Sequence, residues 1–208
     1  MHNKLLIASH NKGKVKEFQR MLNLDGVELL SLEDQGITFE AVECGKTFQE
    51  NSEIKAKVYG NLSGLITLAD DSGLSVDSLN GAPGVLSARY GGENLSDEDR
   101  VELLLKNMKN VPVTERQAKF IAVLTLYRPG NKNISKKLIS VAGTCEGLIT
   151  NSPIGTNGFG YDPVFYIPSL KKTTAQISSL EKDSISHRGK ALKKMRIELQ
   201  KLYNIDND

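Results

Sequence analysis

Two neighbouring acids close an apolar run in "LADDSGL" (68–74). Carboxylates at the end of a strand suit Mg²⁺, a hard cation that takes oxygen ligands and keeps several waters. Adjacent strand residues point to opposite faces. If the strand continues, only one of Asp70 and Asp71 faces a groove; if the chain turns, both can. A solvated Asp-Asp-Ser-Gly turn is the plainer alternative, because turns favour these residues. "SHNKGK" (9–14) precedes a helical pattern and offers loop amides, a helix start and Lys14 to phosphate oxygens. It is not a P-loop: Gly13 is its only glycine and Val15 follows the lysine. An ordinary polar turn fits it equally.

Three further stretches could join such chemistry. "FEAVECGKTFQENSEIK" (39–55) holds Glu40, Glu43 and Glu50, with Asn51 and Lys55 spaced i, i+4 on one helix face. That face either leans over a phosphate chain or is solvated. "TNGFGYDPVF" (156–165) places two rings among glycines in a chain with 6 Phe, 6 Tyr and no Trp. Gly158, Gly160 and Pro163 make it a poor core segment, so its rings either tuck inward or form a stacking platform. "EKDSISHRGKAL" (181–192) gathers Lys182, His187, Arg188 and Lys190 at a helix start, against the helix dipole. Local rules tend to fail at functional sites. A phosphate loop, acids for Mg²⁺, lysines and a ring able to stack on a base together describe a nucleotide site.

Periodicity supplies the elements that must position these residues. "KLLIA" (4–8) reads as a buried strand and "KVKEFQRMLNL" (14–24) as a helix with Val15, Phe18, Met21 and Leu22 on one stripe. A strand is expected at 27–31. Thr47 and Glu50 fit a capping box opening a helix through about Tyr59. Strands are expected at 65–69 and 74–79 on either side of "DDSG", then loop over 80–92. Ser96 and Asp99 resemble a second capping box, before Val101, Leu104, Leu105 and Met108 at helical spacing. Residues 117–127 and 136–149 read as a long hairpin around "RPGNKN". A last helix starts near Ser186, with Leu192, Met195, Leu199 and Leu202 on one face, and the tail "NIDND" is expected to fray. This order predicts an α/β fold, a mixed sheet with flanking helices and two lobes around a groove, within a single domain over 1–208.

Bulk properties narrow the class. The 208 residues suffice for a real core, and 27 basic against 25 acidic residues leave a net charge of +2. That balance gives no support to a nucleic acid polymer as partner. Cys44 and Cys145 form no metal-binding pattern and suit a reducing cytoplasm, although a single disulfide stays open. The N-terminal apolar run is too short for a signal peptide, and no membrane-spanning window is present.

Five stretches, "IASHNKGKVKEF", "TFQENSEIKA", "ADDSGLSVDSLNGAPGVLSARY", "GTNGFGYDPVF" and "SHRGKAL", carry a resemblance that covers nearly the whole chain. The sequence resembles the inosine triphosphate pyrophosphatase family, in its bacterial dITP/XTP form. The resemblance implies an elongated central sheet, two lobes flanking a nucleotide cleft, a homodimer, and Mg²⁺-dependent hydrolysis of ITP, dITP and XTP to the monophosphate and pyrophosphate. It implies that Ser9, His10, Asn11, Lys12, Gly13 and Lys14 contact the triphosphate. Asp71 is implied as proton acceptor and metal ligand and Glu43 as a second metal ligand; Asp70, the neighbouring acid of the strand end, is expected as a third carboxylate at the metal. Ser72 is implied as a substrate contact and Lys55 as a phosphate contact. Phe159, Gly160, Tyr161 and Asp162, with Lys182, His187 and Arg188, match the base and sugar pocket. Ser9-His10 stands where Thr-Gly is frequent, and Cys44-Gly45 where another Thr-Gly is common.

On this reading, water oriented or deprotonated by Asp71 attacks the α-phosphorus while Mg²⁺, Lys14 and Lys55 offset phosphate charge. Lys182, His187 and Arg188 are expected to donate to the C6 oxygen of hypoxanthine or xanthine, which adenine lacks. Two rivals remain: a nucleotide hydrolase releasing orthophosphate, and a non-catalytic nucleotide sensor.

Overall fold

The apolar run after Asn3 forms β1 (Asn3–Ala8), buried from Leu5 onward. A strand with parallel neighbours on both sides needs such a continuous apolar run. β1 pairs in parallel with β2 (Val27–Ser31) and with β3 (Ile66–Val76). The crossovers are α1 (Lys12–Met21) and α2 (Phe48–Ser63). Then follow α3 (Asp97–Asn107), β4 (Gln117–Arg128), β5 (Lys137–Ile149), β6 (Phe165–Ile167), β7 (Lys172–Thr173), α4 (Ser179–Ile185) and α5 (His187–Tyr203). The sheet order is β2-β1-β3-β4-β5-β6-β7, with β5–β6 and β6–β7 antiparallel, so the predicted mixed α/β sheet is present. These assignments come from a computed structural model that describes residues 3–130 and 136–203.

The chain divides into two compact units. The first comprises 1–71, 122–143 and 188–208; the second comprises 72–121 and 144–187. In the first, Leu5, Ile7, Phe18 and Leu68 pack with Leu124, Leu192, Met195 and Leu199, while Leu6, Leu32, Ala56, Tyr59 and Tyr127 form a second apolar cluster. In the second, Leu74, Val76, Leu104, Met108, Phe120, Tyr161, Val164 and Phe165 make the core.

Both capping boxes form. The Thr47 hydroxyl accepts from the Glu50 amide while Glu50 reaches back to the Thr47 amide, and Ser96 and Asp99 do the same. α1 begins two residues before the expected start, because Asn11 caps it by accepting from the Lys14 amide at 3.0 Å. α2 runs past Tyr59 until Gly64, at φ +70°, ends it. The expected break at "DDSG" is absent: 66–76 is one strand, and Asp70 and Asp71 lie inside it. β6, β7 and α4 have no counterpart in the sequence reading, since two- and three-residue strands carry no periodicity. Both cysteines are free thiols, so the disulfide left open above does not form. The last three residues of "RPGNKN" (131–133) and the tail 204–208 lie outside the described residues.

Candidate active site

The continuity of β3 sends its two aspartates to opposite faces. Asp71 meets Lys55, presented by α2: the ammonium lies 2.8 Å from Asp71 Oδ1 and 2.6 Å from Glu43 Oε1. Two carboxylates thus converge on one cationic point. Asp71 is buried, and its Oδ2 takes no hydrogen bond among the described residues. Burial pushes the Asp71 carboxyl above the usual range, against the opposing pull of Lys55 and Lys14. Burial also disfavours the Lys55 ammonium, but Asp71 and then Glu43 outweigh it and hold the lysine charged.

Asp70 belongs to a second set of partners. Arg188 Nε donates to its Oδ2 at 2.8 Å, and Lys14 Nζ lies 3.6 Å away. Arg188 also donates through Nη1 to Glu17, a buried acid on α1. Burial alone would raise the Asp70 carboxyl, but Arg188 and then Lys14 hold it well below the usual carboxylate range. Burial pulls Lys14 downward, and Asp70 only partly restores it. In the first unit, Lys14, Lys55 and Arg188 thus meet Glu17, Glu43, Asp70 and Asp71. Two convergent carboxylates and the Asp71 oxygen without a hydrogen bond fit a divalent cation. Mg²⁺ is commonly held by one or two carboxylates, with waters and phosphate completing its shell. No cluster of three or more His, Cys, Asp or Glu forms a fuller cage among the described residues.

The predicted phosphate loop is shorter than expected. Only Ser9, His10 and Asn11 are loop; Lys12, Gly13 and Lys14 form the first turn of α1, which carries no acid. The Ser9 hydroxyl accepts from the Asn11 amide at 3.2 Å. His10 Nε2 donates to the Phe39 carbonyl at 3.1 Å and meets the Tyr59 ring edge-on, which anchors the chain ahead of Glu43. Lysines at a helix N-terminus oppose the dipole unless an anion joins them.

In the second unit the glycine-rich stretch closes around Asp162. Its Oδ2 accepts from the Phe159 amide at 2.9 Å and from Lys182 at 2.5 Å, and its Oδ1 accepts from the Thr174 hydroxyl at 2.9 Å. Gly158 has φ +82°, and a Cβ there would fall 2.0 Å from Asp162 Oδ2. The Gly160 amide donates to Asp97 at 2.8 Å. Phe159 is left half-buried, with the Lys182 ammonium 4.9 Å from its ring centroid. Ser72 is half-buried in β3.

Several residues matched to the base pocket have structural engagements. Tyr161 is a core residue, its hydroxyl donating to the Ser87 carbonyl at 3.0 Å. His187 is buried and stacks on Phe120, with centroids 4.8 Å apart and planes at 14°. Arg188, expected to read the C6 oxygen, commits Nε and Nη1 to buried carboxylates. Sequence reasoning missed Glu17, Thr174 and Asp97. Glu17 alone left a trace, as an acid beside Phe18 on the apolar stripe of α1.

Residues 5–198 match the model of the Ham1 family. The chain is 47% identical to the dITP/XTP pyrophosphatase of Exiguobacterium sibiricum over 94% of its length and 96% of that protein. It is 48% identical to the dITP/XTP pyrophosphatase of Bacillus licheniformis, over 92% of this chain and 95% of the other. The solved structure of a HAM1 protein from Coxiella burnetii superposes with a TM-score of 0.84 at 38% identity, over 96% of this chain and 99% of that one. The Ham1 protein of Staphylococcus aureus gives 0.81 at 38% identity, over 95% and 98%.

Proposed function

The chain belongs to the Ham1 family, and we propose that it hydrolyses aberrant purine nucleoside triphosphates, ITP, dITP and XTP, to the monophosphate and pyrophosphate. The observation that carries this reading is the convergence of Glu43 and Asp71 on Lys55, with a buried Asp71 oxygen left without a hydrogen bond among the described residues. The names of the relatives, dITP/XTP pyrophosphatase, supply the substrate class.

Mg²⁺ is the cofactor of this reading, held by Asp71 and Glu43, and it supplies positive charge against the phosphate oxygens. Lys14 and Lys55 orient the phosphate chain and add two further positive charges. Asp71 orients or deprotonates the attacking water; because a metal-bound carboxylate is a weak base, the lowered pKa of metal-bound water would supply much of the activation. That water attacks the α-phosphorus, the bond from phosphorus to the bridging oxygen breaks, and pyrophosphate leaves. Asp70, tied to Arg188 and Lys14, fixes the strand beneath Asp71. The half-exposed Phe159 ring is the stacking surface for the purine, and Lys182 over that ring is its donor.

A homodimer in the cytoplasm completes the proposal, supported by the family resemblance and by two free thiols that suit a reducing compartment. No helix among the described residues is long and apolar enough to cross a membrane. The test is turnover of ITP, dITP, XTP, ATP and GTP with Mg²⁺, with products separated by anion exchange. Monophosphate and pyrophosphate from the first three, with slow ATP and GTP, are expected. Orthophosphate with a diphosphate, or tight binding without turnover, would contradict the reading.

A further inference from the structure

Glu43 reaches Lys55 from an irregular segment, so something outside regular structure has to hold it in place. Three successive amides after it are fixed by side chains of α2. The Gly45 amide donates to Asn51 Oδ1 at 2.8 Å, and the Lys46 and Thr47 amides donate to Glu50 Oε2 at 2.6 and 3.1 Å. The Glu50 contacts belong to a helix cap and need no further explanation. The Asn51 contact lies outside the capping box. Asn51 is fully buried, one helical turn before Lys55 on the same face. The approach is so close that a Cβ on Gly45 would fall 2.6 Å from Asn51 Oδ1 and 2.6 Å from Glu50 Cβ. Glycine is required here by space and not by backbone angle.

The other half of the same carboxamide is unsatisfied: Asn51 Nδ2 is buried with no hydrogen-bond partner among the described residues. The Gly45 N–H is a donor, so it must face the oxygen, and the amide cannot be turned round to pair its nitrogen instead. A buried orphan donor destabilises a fold, and an apolar side chain of similar size would avoid that cost. Its place beside the residues assigned to metal and phosphate points to an acceptor that arrives from outside the chain.

We propose that Asn51 is a positioning residue of this centre. Through Gly45 it fixes the Glu43 carboxylate opposite Asp71, and its Nδ2 donates to an oxygen, of phosphate or of water, ordered when metal and nucleotide bind. The inference rests on the hydrolase reading above, and wild-type enzyme run in parallel separates the two. If wild type neither turns over ITP nor needs metal, the functional reading fails. If wild type behaves as expected, the variants judge Asn51 alone.

The test measures the Mg²⁺ concentration for half-maximal turnover, and Mn²⁺ binding by electron paramagnetic resonance with a non-hydrolysable ITP analogue, alongside melting temperature. Asn51→Ala and Gly45→Ala break the same contact from its two ends. Each should weaken both metal readouts about tenfold, the scale seen when groups supporting a metal ligand are removed. The double variant should be no worse than the stronger single, because both remove one interaction. Asn51→Asp keeps an acceptor for Gly45 but loses the donor, and should raise KM for ITP more than it weakens Mn²⁺ binding. Metal readouts unchanged in folded Asn51→Ala, or metal losses that simply add in the double variant, would overturn the proposal. Should Asn51→Ala fail to fold, Gly45→Ala decides it by the same criterion.

Discussion

Each compact unit buries an aspartate against a lysine, Asp71 with Lys55 in the first and Asp162 with Lys182 in the second, and the two pairs are built for different ends. Asp162 has both oxygens engaged, by a backbone amide, a threonine hydroxyl and an ammonium. It closes a loop upon itself and leaves no acceptor over. Asp71 keeps a buried oxygen without a hydrogen bond among the described residues and shares its lysine with Glu43. The same residue types therefore make one pair in which every oxygen is satisfied and, at the proposed reaction centre, another in which one is not. Asp70 and Asp71 differ instead in charge environment within a single strand. Cations hold Asp70 below the usual carboxylate range, while burial raises Asp71. Environments that push two neighbouring acids apart commonly separate an ion-pair role from a proton-transfer role.

The hardest test of this contrast is Asp71→Asn. It should lower kcat for ITP about 10²- to 10⁴-fold, the range for losing a general base, with the melting temperature unchanged or raised. Near-native turnover in the folded variant would reduce Asp71 to an ion-pair partner like Asp162.

Arg188→Ala should come next in size. Removing one partner of a buried ion pair costs about 3–5 kcal/mol of stability. Because Arg188 donates to the buried carboxylates of Asp70 and Glu17, kcat/KM should fall by the same factor for ITP and ATP. A loss confined to ITP would return Arg188 to the base-reading role expected from the sequence.

These two residues also show how much the sequence could reveal. The capping boxes at Thr47 and Ser96, the buried β1 and the stripe of α5 were legible because local spacing encodes them. The strand through "DDSG" was not. Asp, Ser and Gly are turn residues by local chemistry, and cations distant in sequence, first a guanidinium 118 positions away, make Asp70 tolerable inside a buried strand. Glu17 is the same case, since its partner lies 171 positions along the chain. The residue types of the site were evident from motif and resemblance. Which acids pair with which cations is a product of the fold and has no local signal.

A smaller effect probes the second unit. Phe159→Ala should weaken purine triphosphate binding by about 1–3 kcal/mol, read as a rise in KM, as for other base–aromatic stacks. Its half-exposed ring predicts little change in melting temperature. A large fall in melting temperature with unchanged KM would make Phe159 a core residue.

The smallest effect concerns stability alone. Hydrogen bonds from the backbone and hydroxyl of Ser96 lower the Asp99 carboxyl, and those of Ser178 lower Glu181. A carboxyl depressed in the folded state contributes stability above its ordinary value, 3.8 for Asp99, and that contribution is lost as pH falls through the folded value. Asp99→Asn should therefore show a shallower loss of stability below about pH 4 in urea titrations, with turnover at neutral pH unchanged. An identical slope would mean that the cap contributes nothing through its charge.

The claim most in need of direct proof is that water attacks the α-phosphorus and pyrophosphate leaves as a unit. Hydrolysis of ITP in ¹⁸O-labelled water, with both products read by mass spectrometry, decides it. Label in the monophosphate and none in pyrophosphate is the predicted result; label in pyrophosphate, or orthophosphate formed with a diphosphate, would contradict it.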